Sequence, residues 1–166
     1  MGRLYSLLGE NLTLGTGYVL ATIQPVSAVP SAGSVIAIRR VEVAQSHNTT
    51  SAMVRLALSS RNTAGTLTVT SATPSPIVVG GTASAIAGST NALTAGKCGV
   101  NSSADSGGAY TDIWYSAPNV LNGWLFVPTP PEIILAVTGY VFCVRLLAAP
   151  GDTAGWDVSV LFEEIM

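Results

Sequence analysis

The chain has 166 residues and a formal net charge of -2, and it is 48% hydrophobic but only 10% charged. A typical soluble domain is about 25% charged, so this composition indicates that much of the surface faces other protein. The small negative charge argues against a nucleic-acid partner, and the apolar runs are too short for a membrane-spanning helix. The length predicts a single domain covering residues 1–166.

Residues 1–17 are too apolar to extend into water, so they form either an edge strand or an arm that holds a partner. We predict an N-terminal arm here. This segment also has no long apolar run followed by a cleavage site, so we expect synthesis without export.

Strand patterns follow along most of the chain. Apolar and polar residues alternate at 54–58, 66–70 and 156–163, as in strands with one buried face. Val41 and Val43 alternate with Arg40 and Glu42, which could form an ion pair on one face. Three runs are apolar at successive positions, which predicts burial on both faces: 18–23, 124–127 and 140–147.

Turn residues separate these runs, and the segments 61–65 and 150–155 are predicted to be hairpin loops. Residues 71–109 are rich in Ser, Thr, Ala and Gly, which predicts a loop-rich insertion that lies over a neighbouring subunit. Short strands without helical periodicity predict an all-β fold. We expect an antiparallel two-sheet sandwich of jelly-roll type with long Ser/Thr/Gly-rich loops.

The sequence contains little that could perform catalysis. A metal site of the kind found in cupins needs several histidines, and His47 is the one histidine of the chain. No nucleophile motif is present, so we expect no enzyme, cofactor or metal. Cys98 and Cys143 are predicted to be buried free thiols rather than a disulfide. Three aromatic residues are assigned to the core or a subunit interface rather than to sugar stacking: Trp114, Tyr115 and Trp124.

Several short stretches resemble the head decoration, or cement, proteins encoded beside the major capsid protein of tailed bacteriophages. They are residues 2–6 (GRLYS), 41–46 (VEVAQS), 123–132 (GWLFVPTPPE), 144–150 (VRLLAAP) and 158–164 (VSVLFEE). The resemblance implies a jelly roll that assembles as a homotrimer. It also implies synthesis in the host cytoplasm and a place on the outer capsid surface of the virion, bound to the major capsid protein.

Such a protein stabilises junctions between capsid subunits. We expect the strand at 140–147 to lie near the trimer axis and the N-terminal arm to reach a neighbour or the shell. The predicted interface residues are Arg3, Leu4, Tyr5, Leu7, Leu8, Leu12, Leu14, Tyr140, Phe142 and Arg145. The alternative is a tail, fibre or receptor-binding jelly roll of a phage that recognises a glycan.

Overall fold

Thirteen strands form in the residues that the computed structural model describes, which are 2–27, 33–47, 52–130 and 134–165, and no helix occurs among them. In chain order the strands are β1 (Arg3–Leu12), β2 (Val19–Gln24), β3 (Val35–Gln45), β4 (Leu56–Asn62), β5 (Thr66–Ser71), β6 (Ser75–Pro76), β7 (Ala87–Gly88), β8 (Lys97–Ser106), β9 (Tyr110–Ser116), β10 (Trp124–Phe126), β11 (Leu135–Val137), β12 (Tyr140–Leu146) and β13 (Trp156–Ile165).

The strands form two sheets that pack face to face. The first sheet has the order β10-β3-β13-β1-β6, with β11 also paired to β3. The second sheet has the order β5-β8-β2-β12-β4-β9, with the short β7 parallel to β8 and all other pairs antiparallel. The predicted all-β sandwich of two antiparallel sheets is therefore confirmed. Its strand order is compatible with the predicted jelly roll.

Side-chain alternation places the core between the sheets. In β13, every second residue from Trp156 to Phe162 is at most 3% exposed, while the intervening residues are only partly buried. Burying such side chains contributes about 1.5–3 kcal/mol each. Because β13 lies between β1 and β3, its apolar face is central to the first sheet.

The N-terminal segment is a strand of the sandwich, so the prediction of an arm is wrong. Residues 3–9 of β1 pair in continuous antiparallel register with β13, from Arg3 opposite Glu164 to Gly9 opposite Val158. Of the apolar residues that argued against a free segment in water, Tyr5, Leu7 and Leu14 are covered by the chain's own core.

The region 71–109 contains more strand than the predicted loop-rich insertion. Its last third contains β8, a ten-residue strand in the second sheet, and the longer connections are confined to 72–96. Ser102 suits this strand because its hydroxyl group finds partners inside the fold. The Ser102 hydroxyl donates to the Thr16 carbonyl at 2.7 Å and accepts from the Val19 amide at 3.1 Å.

The segment 61–65 is not a hairpin loop, because β4 and β5 do not pair with each other. Instead β4 pairs with β9 and β5 pairs with β8. Residues 56–71 and 99–116 thus run antiparallel as one long ribbon, bent near 61–65 and 107–109. This bend brings β5 onto the outer face of β2 and β12.

A second, smaller core forms beneath the bent ribbon. It covers the faces of β2 and β12 that point away from the main core, which confirms two-faced burial for most of 18–23 and 140–147. The same prediction is wrong for 124–127, where Leu125 and Val127 are 58% and 56% exposed. The buried members of this second core are Val19, Leu67, Val69, Ala92, Val141 and Cys143.

Candidate subunit interface

The interface residues predicted on the N-terminal segment fall into exposed and buried sets. Leu4 and Leu8 lie on the outer face of the first sheet and are 41% and 50% exposed, and Arg3 is exposed at the start of β1. The others belong to the main core or pack against it: Tyr5, Leu7, Leu12 and Leu14. An interface role is therefore wrong for Tyr5, Leu7 and Leu14, which present almost no surface to a partner.

On β12 the same division occurs. Tyr140, at the start of the strand, is 53% exposed, whereas Phe142 is 2% exposed and lies in the main core. Phe142 is thus also wrong as an interface residue. The chain's own two cores cover both faces of β12, so its burial gives no reason to place it at a trimer axis.

Arg61 fixes the bend of the ribbon from inside. Its side chain is fully buried and donates to Asp105 Oδ1 at 3.0 Å. A Cβ atom at Gly108 would lie 2.2 Å from the guanidinium carbon, so glycine is required for this approach. The remaining guanidinium hydrogen bonds go to the carbonyl groups of Asn62, Ala64, Thr66 and Ser106.

Arg145 holds the edge strand β9 in a neighbouring network. It donates to Asp112 Oδ1 at 2.7 Å and to Ser59 Oγ at 3.0 Å, and the Ser59 hydroxyl donates to Asp112 at 2.6 Å. Burial alone would raise the pKa of Asp112, but the hydrogen bonds from Ser59 and Arg145 outweigh it and lower that pKa. Arg145, predicted to contact a partner, is therefore engaged within its own chain.

Tyr110 joins the two networks. Its hydroxyl donates to Asp105 Oδ2 at 2.8 Å, and the guanidinium carbons of Arg61 and Arg145 lie 5.6 Å and 4.3 Å from the centroid of its ring. Burial, followed by the nearby Cys143 and Asp105, raises the pKa of the Tyr110 phenol. The cluster is thus a structural support for β9, because each of its charged groups has a protein partner.

The described residues contain no group of three or more His, Cys, Asp or Glu side chains placed to hold a metal ion. Cys98 and Cys143 are buried and free, as predicted. Burial raises the pKa of both thiols to about 12, although Lys97 partly offsets this at Cys98. Neither thiol therefore has the character of a nucleophile. No helix in the described ranges could cross a membrane.

Exposed hydrophobic residues concentrate where edge strands of the two sheets meet. β9 ends the second sheet, and β10 and β11 end the first. The rings of Trp114 and Phe126 connect these edges, with centroids 5.4 Å apart. We call this surface the apolar flank, and each member is between 43% and 72% exposed: Ile113, Trp114, Tyr115, Leu125, Val127, Leu135, Val137 and Tyr140.

A groove of about 90 Å³ lies within the apolar flank. Its rim is formed by exposed side chains from three strands, and its floor by Ile134, Ala136 and Phe142. Because no charged residue lines it, an apolar side chain could fill it without burying an unpaired charge. The rim residues of this flank groove are Ile113, Leu135, Val137 and Tyr140.

The sequence pattern singles out only part of this flank. Of the aromatic residues assigned to the core or an interface, Trp124 packs against the core, while Trp114 and Tyr115 are 43% and 72% exposed. The pattern does not single out Ile113 or Leu135. The available signal was three successive apolar residues at 113–115, which places an apolar side chain on each face of a strand.

No protein-family model, curated protein or solved structure matches this chain. Four of the five stretches that resemble decoration proteins lie in or beside the first sheet. Residues 2–6, 41–46 and 158–164 lie in or beside β1, β3 and β13, and the described part of 123–132 contains β10. Residues 144–150 begin in β12 of the second sheet.

Proposed function

We propose that this chain is a structural virion protein, a capsid decoration or cement protein. It binds the outer surface of the phage head as a homotrimer and stabilises the junctions between capsid subunits. The observation that carries the proposal is the apolar flank. Four of its exposed residues, Ile113, Leu135, Val137 and Tyr140, surround one groove, and exposed apolar surface grouped in this way marks sites of protein association.

The edge strand in the flank supports association for a second reason. Exposed edge strands are normally protected by lysine, proline or strong bulging. Residues 110–116 (YTDIWYS) contain neither lysine nor proline, and the single charge, Asp112, is bound by Arg145. The protection that this edge has is one register irregularity, at Ile113. On its outer side β9 pairs with no strand of the described chain. A partner that covers this edge would remove a site for aggregation.

The composition fits an assembled protein. Obligate interfaces resemble a protein core divided in two, being rich in aromatic and aliphatic residues and poor in charge. Seven basic and nine acidic residues in 166 leave few ions to solvate the surface. Burial of the flank between copies would remove from water the apolar surface that these few charged residues leave exposed.

Stabilisation of the head follows from multiple attachment. A capsid under internal pressure fails when subunits separate at a junction, and a protein bound across the junction must detach first. Linked copies rebind as an intramolecular step, which raises overall affinity by about 10²–10⁴-fold when all sites are reached together. A trimer of weak binders would therefore hold a junction firmly.

Exposed Trp114 and Tyr115 bear on the alternative, a glycan-binding tail or receptor-binding protein. They are successive residues of a strand, so their side chains point to opposite sides. The Trp114 ring also packs against Phe126. The two rings therefore do not form one stacking platform, and the geometry favours the assembly role. Binding on a glycan array that Tyr115→Ala abolishes would favour the alternative instead.

Light scattering coupled to size exclusion, followed by sedimentation with heads assembled from the major capsid protein of the same phage, tests the proposal. We expect a trimer that co-sediments with heads and raises the temperature at which they rupture. A map of decorated heads should place the chain across capsid junctions. A stable monomer at high concentration that leaves the heads unbound would overturn the proposal.

A further inference from the structure

The turn that follows β6 carries three successive exposed aliphatic residues. Ile77, Val78 and Val79 are 50%, 71% and 100% exposed. Turns normally use Gly, Pro, Asn, Asp and Ser, because these residues suit the backbone and the solvent. Three β-branched hydrophobic residues at such a position have no local structural reason. We call residues 77–79 the aliphatic tip.

The backbone of the aliphatic tip forms part of a closed turn. The Gly81 amide donates to the Val78 carbonyl at 2.8 Å and closes the turn. Gly80 occupies the third position of this turn with a φ of 75°, which glycine adopts without strain.

Two contacts with β1 anchor this turn. The Ile77 amide donates to the Leu4 carbonyl at 3.1 Å, and the Tyr5 hydroxyl donates to the Thr82 carbonyl at 3.2 Å. Because β1 is itself part of the first sheet, the tip projects from an ordered base.

The aliphatic tip and the flank groove lie at opposite ends of the same sheet. The tip follows β6, the last strand beyond β1, whereas the groove is formed around β11, which pairs with β3 at the other end. The two features therefore cannot meet within one chain. Two copies placed side by side, with their first sheets in sequence, bring the tip of one to the groove of the next.

We propose that the aliphatic tip of one copy inserts into the flank groove of a second copy, and that this contact, repeated three times, closes the homotrimer. The inference rests on the proposed function, since it names the contact that would build the trimer. A contact between two different surfaces is heterologous, and it forms a closed ring when the rotation between copies closes.

The occupant is assigned by size and charge. The groove of about 90 Å³ exceeds the roughly 10–15 Å³ that a single water requires, and it is small enough to take one aliphatic side chain rather than a whole segment of chain. Residues 76–83 (PIVVGGTA) and the groove lining are all uncharged. Insertion therefore buries apolar surface on both sides and leaves no charge unpaired.

The strand edges at these two ends favour a side-chain contact over backbone pairing. Pro76 lies in β6, and Pro128 and Pro130 follow β10. Proline has no amide hydrogen to donate and blunts an edge strand. The two copies would thus join through the tip and the groove, without extension of the sheet into an open fibre.

Cysteine cross-linking tests the contact directly. The double variant Val79→Cys/Leu135→Cys should form a covalent trimer under mild oxidation, and each single variant should remain uncrosslinked. The native Cys98 and Cys143 are buried, so background cross-linking should be low. Dimers formed by Val79→Cys alone would indicate a tip-to-tip contact and overturn the inference, as would a double variant that stays monomeric on denaturing gels.

Charge insertion provides an independent measurement. Val79→Asp should raise the concentration at which trimers dissociate by about 30-fold or more, as expected for a central interface residue. Val137→Asp on the groove rim should do the same. Thr63→Asp, which adds the same charge at another exposed turn, is the matched control and should leave the trimer unchanged.

The outcomes separate the two proposals. If Val79→Asp still forms trimers and binds heads like the unsubstituted chain, the tip-in-groove contact is wrong while the decoration role stands. If the unsubstituted chain is a monomer that ignores heads, both proposals fail. Loss of trimers in Val79→Asp and Val137→Asp, with far-ultraviolet circular dichroism unchanged, supports the contact.

Discussion

The guanidinium carbon of Arg145 lies 4.3 Å from the centroid of the Tyr110 ring, which is within the range of a cation–π contact. Tyr110 begins β9, and Arg145 also binds Asp112 two residues further along that strand. The Arg145 side chain of β12 therefore holds the edge strand that carries Ile113, reaching it across the intervening strand β4. Arg145 thus supports this edge strand through Tyr110 and Asp112.

Replacing Arg61 should destabilise the fold strongly. Arg61→Met leaves the Asp105 carboxylate without its buried cation, which costs about 3–5 kcal/mol in comparable buried pairs. The matched control is Arg40→Met, because Arg40 and Glu42 form an exposed pair at 3.6 Å, and such pairs contribute about 0–1 kcal/mol. Urea unfolding measures both changes. Equal losses in the two variants would contradict a role for Arg61 in the bend.

Asp112 should make the free energy of unfolding depend on pH in the acidic range. Its pKa in the folded chain is lowered below the ordinary value of 3.8, so the unfolded chain binds the proton more readily. This contribution is present above about pH 4 and is lost as the pH falls through the lower, folded pKa. Asp112→Asn should be less stable at neutral pH, and the difference from the unsubstituted chain should shrink toward pH 2. A difference that stays constant with pH would contradict this role.

Alanine substitutions of two aromatic residues of β12, Tyr140 and Phe142, should affect stability and association differently. Phe142→Ala removes a side chain from the main core and should cost about 3–5 kcal/mol of unfolding free energy. Tyr140→Ala changes a residue that is 53% exposed and should alter stability little while weakening trimer formation. Thermal unfolding and light scattering, applied to both, separate the effects. A Tyr140→Ala protein with unchanged association would remove Tyr140 from the flank's contact surface.

The thiols of Cys98 and Cys143 should not react with a disulfide reagent while the protein is folded. Both are buried, and with pKa values of about 12 roughly one in 10⁴ would be ionised at pH 8. Addition of denaturant should release two reactive thiols per chain. Rapid labelling of the native protein would show that one of the sites opens readily.

The strands of the main core follow directly from local patterns. Alternation from Trp156 to Phe162 predicts one buried face, and the structure buries that face between two sheets. The successive apolar residues at 140–147 likewise predict burial on both sides. The pattern carries no information on what covers the second side, and the cover comes from Leu67 and Val69 of a strand far away in the chain.

The pairing of 56–71 with 99–116 explains two wrong predictions. Residues 61–65 are not a hairpin loop, and the insertion at 71–109 contains a long strand. Residues 61–65 have the composition of a hairpin loop, but Arg61 binds Asp105, which is 44 residues away. Such a contact depends on long-range register. The Ser102 hydroxyl in β8 finds its partners, Thr16 and Val19, only after distant segments have come together, so the segment resembles a loop when it is considered alone.

Local sequence patterns suffice to predict that this chain forms strands, builds a sandwich and carries too little charge for its surface. Which apolar residues remain exposed depends on how the strands pair. Tyr5 and Tyr140 both occur in apolar strand patterns, yet one is 1% and the other 53% exposed. The difference arises because the hydrophobic effect is non-directional. Whether an apolar side chain is buried depends on which strand covers it, and the pairing of distant segments places that strand.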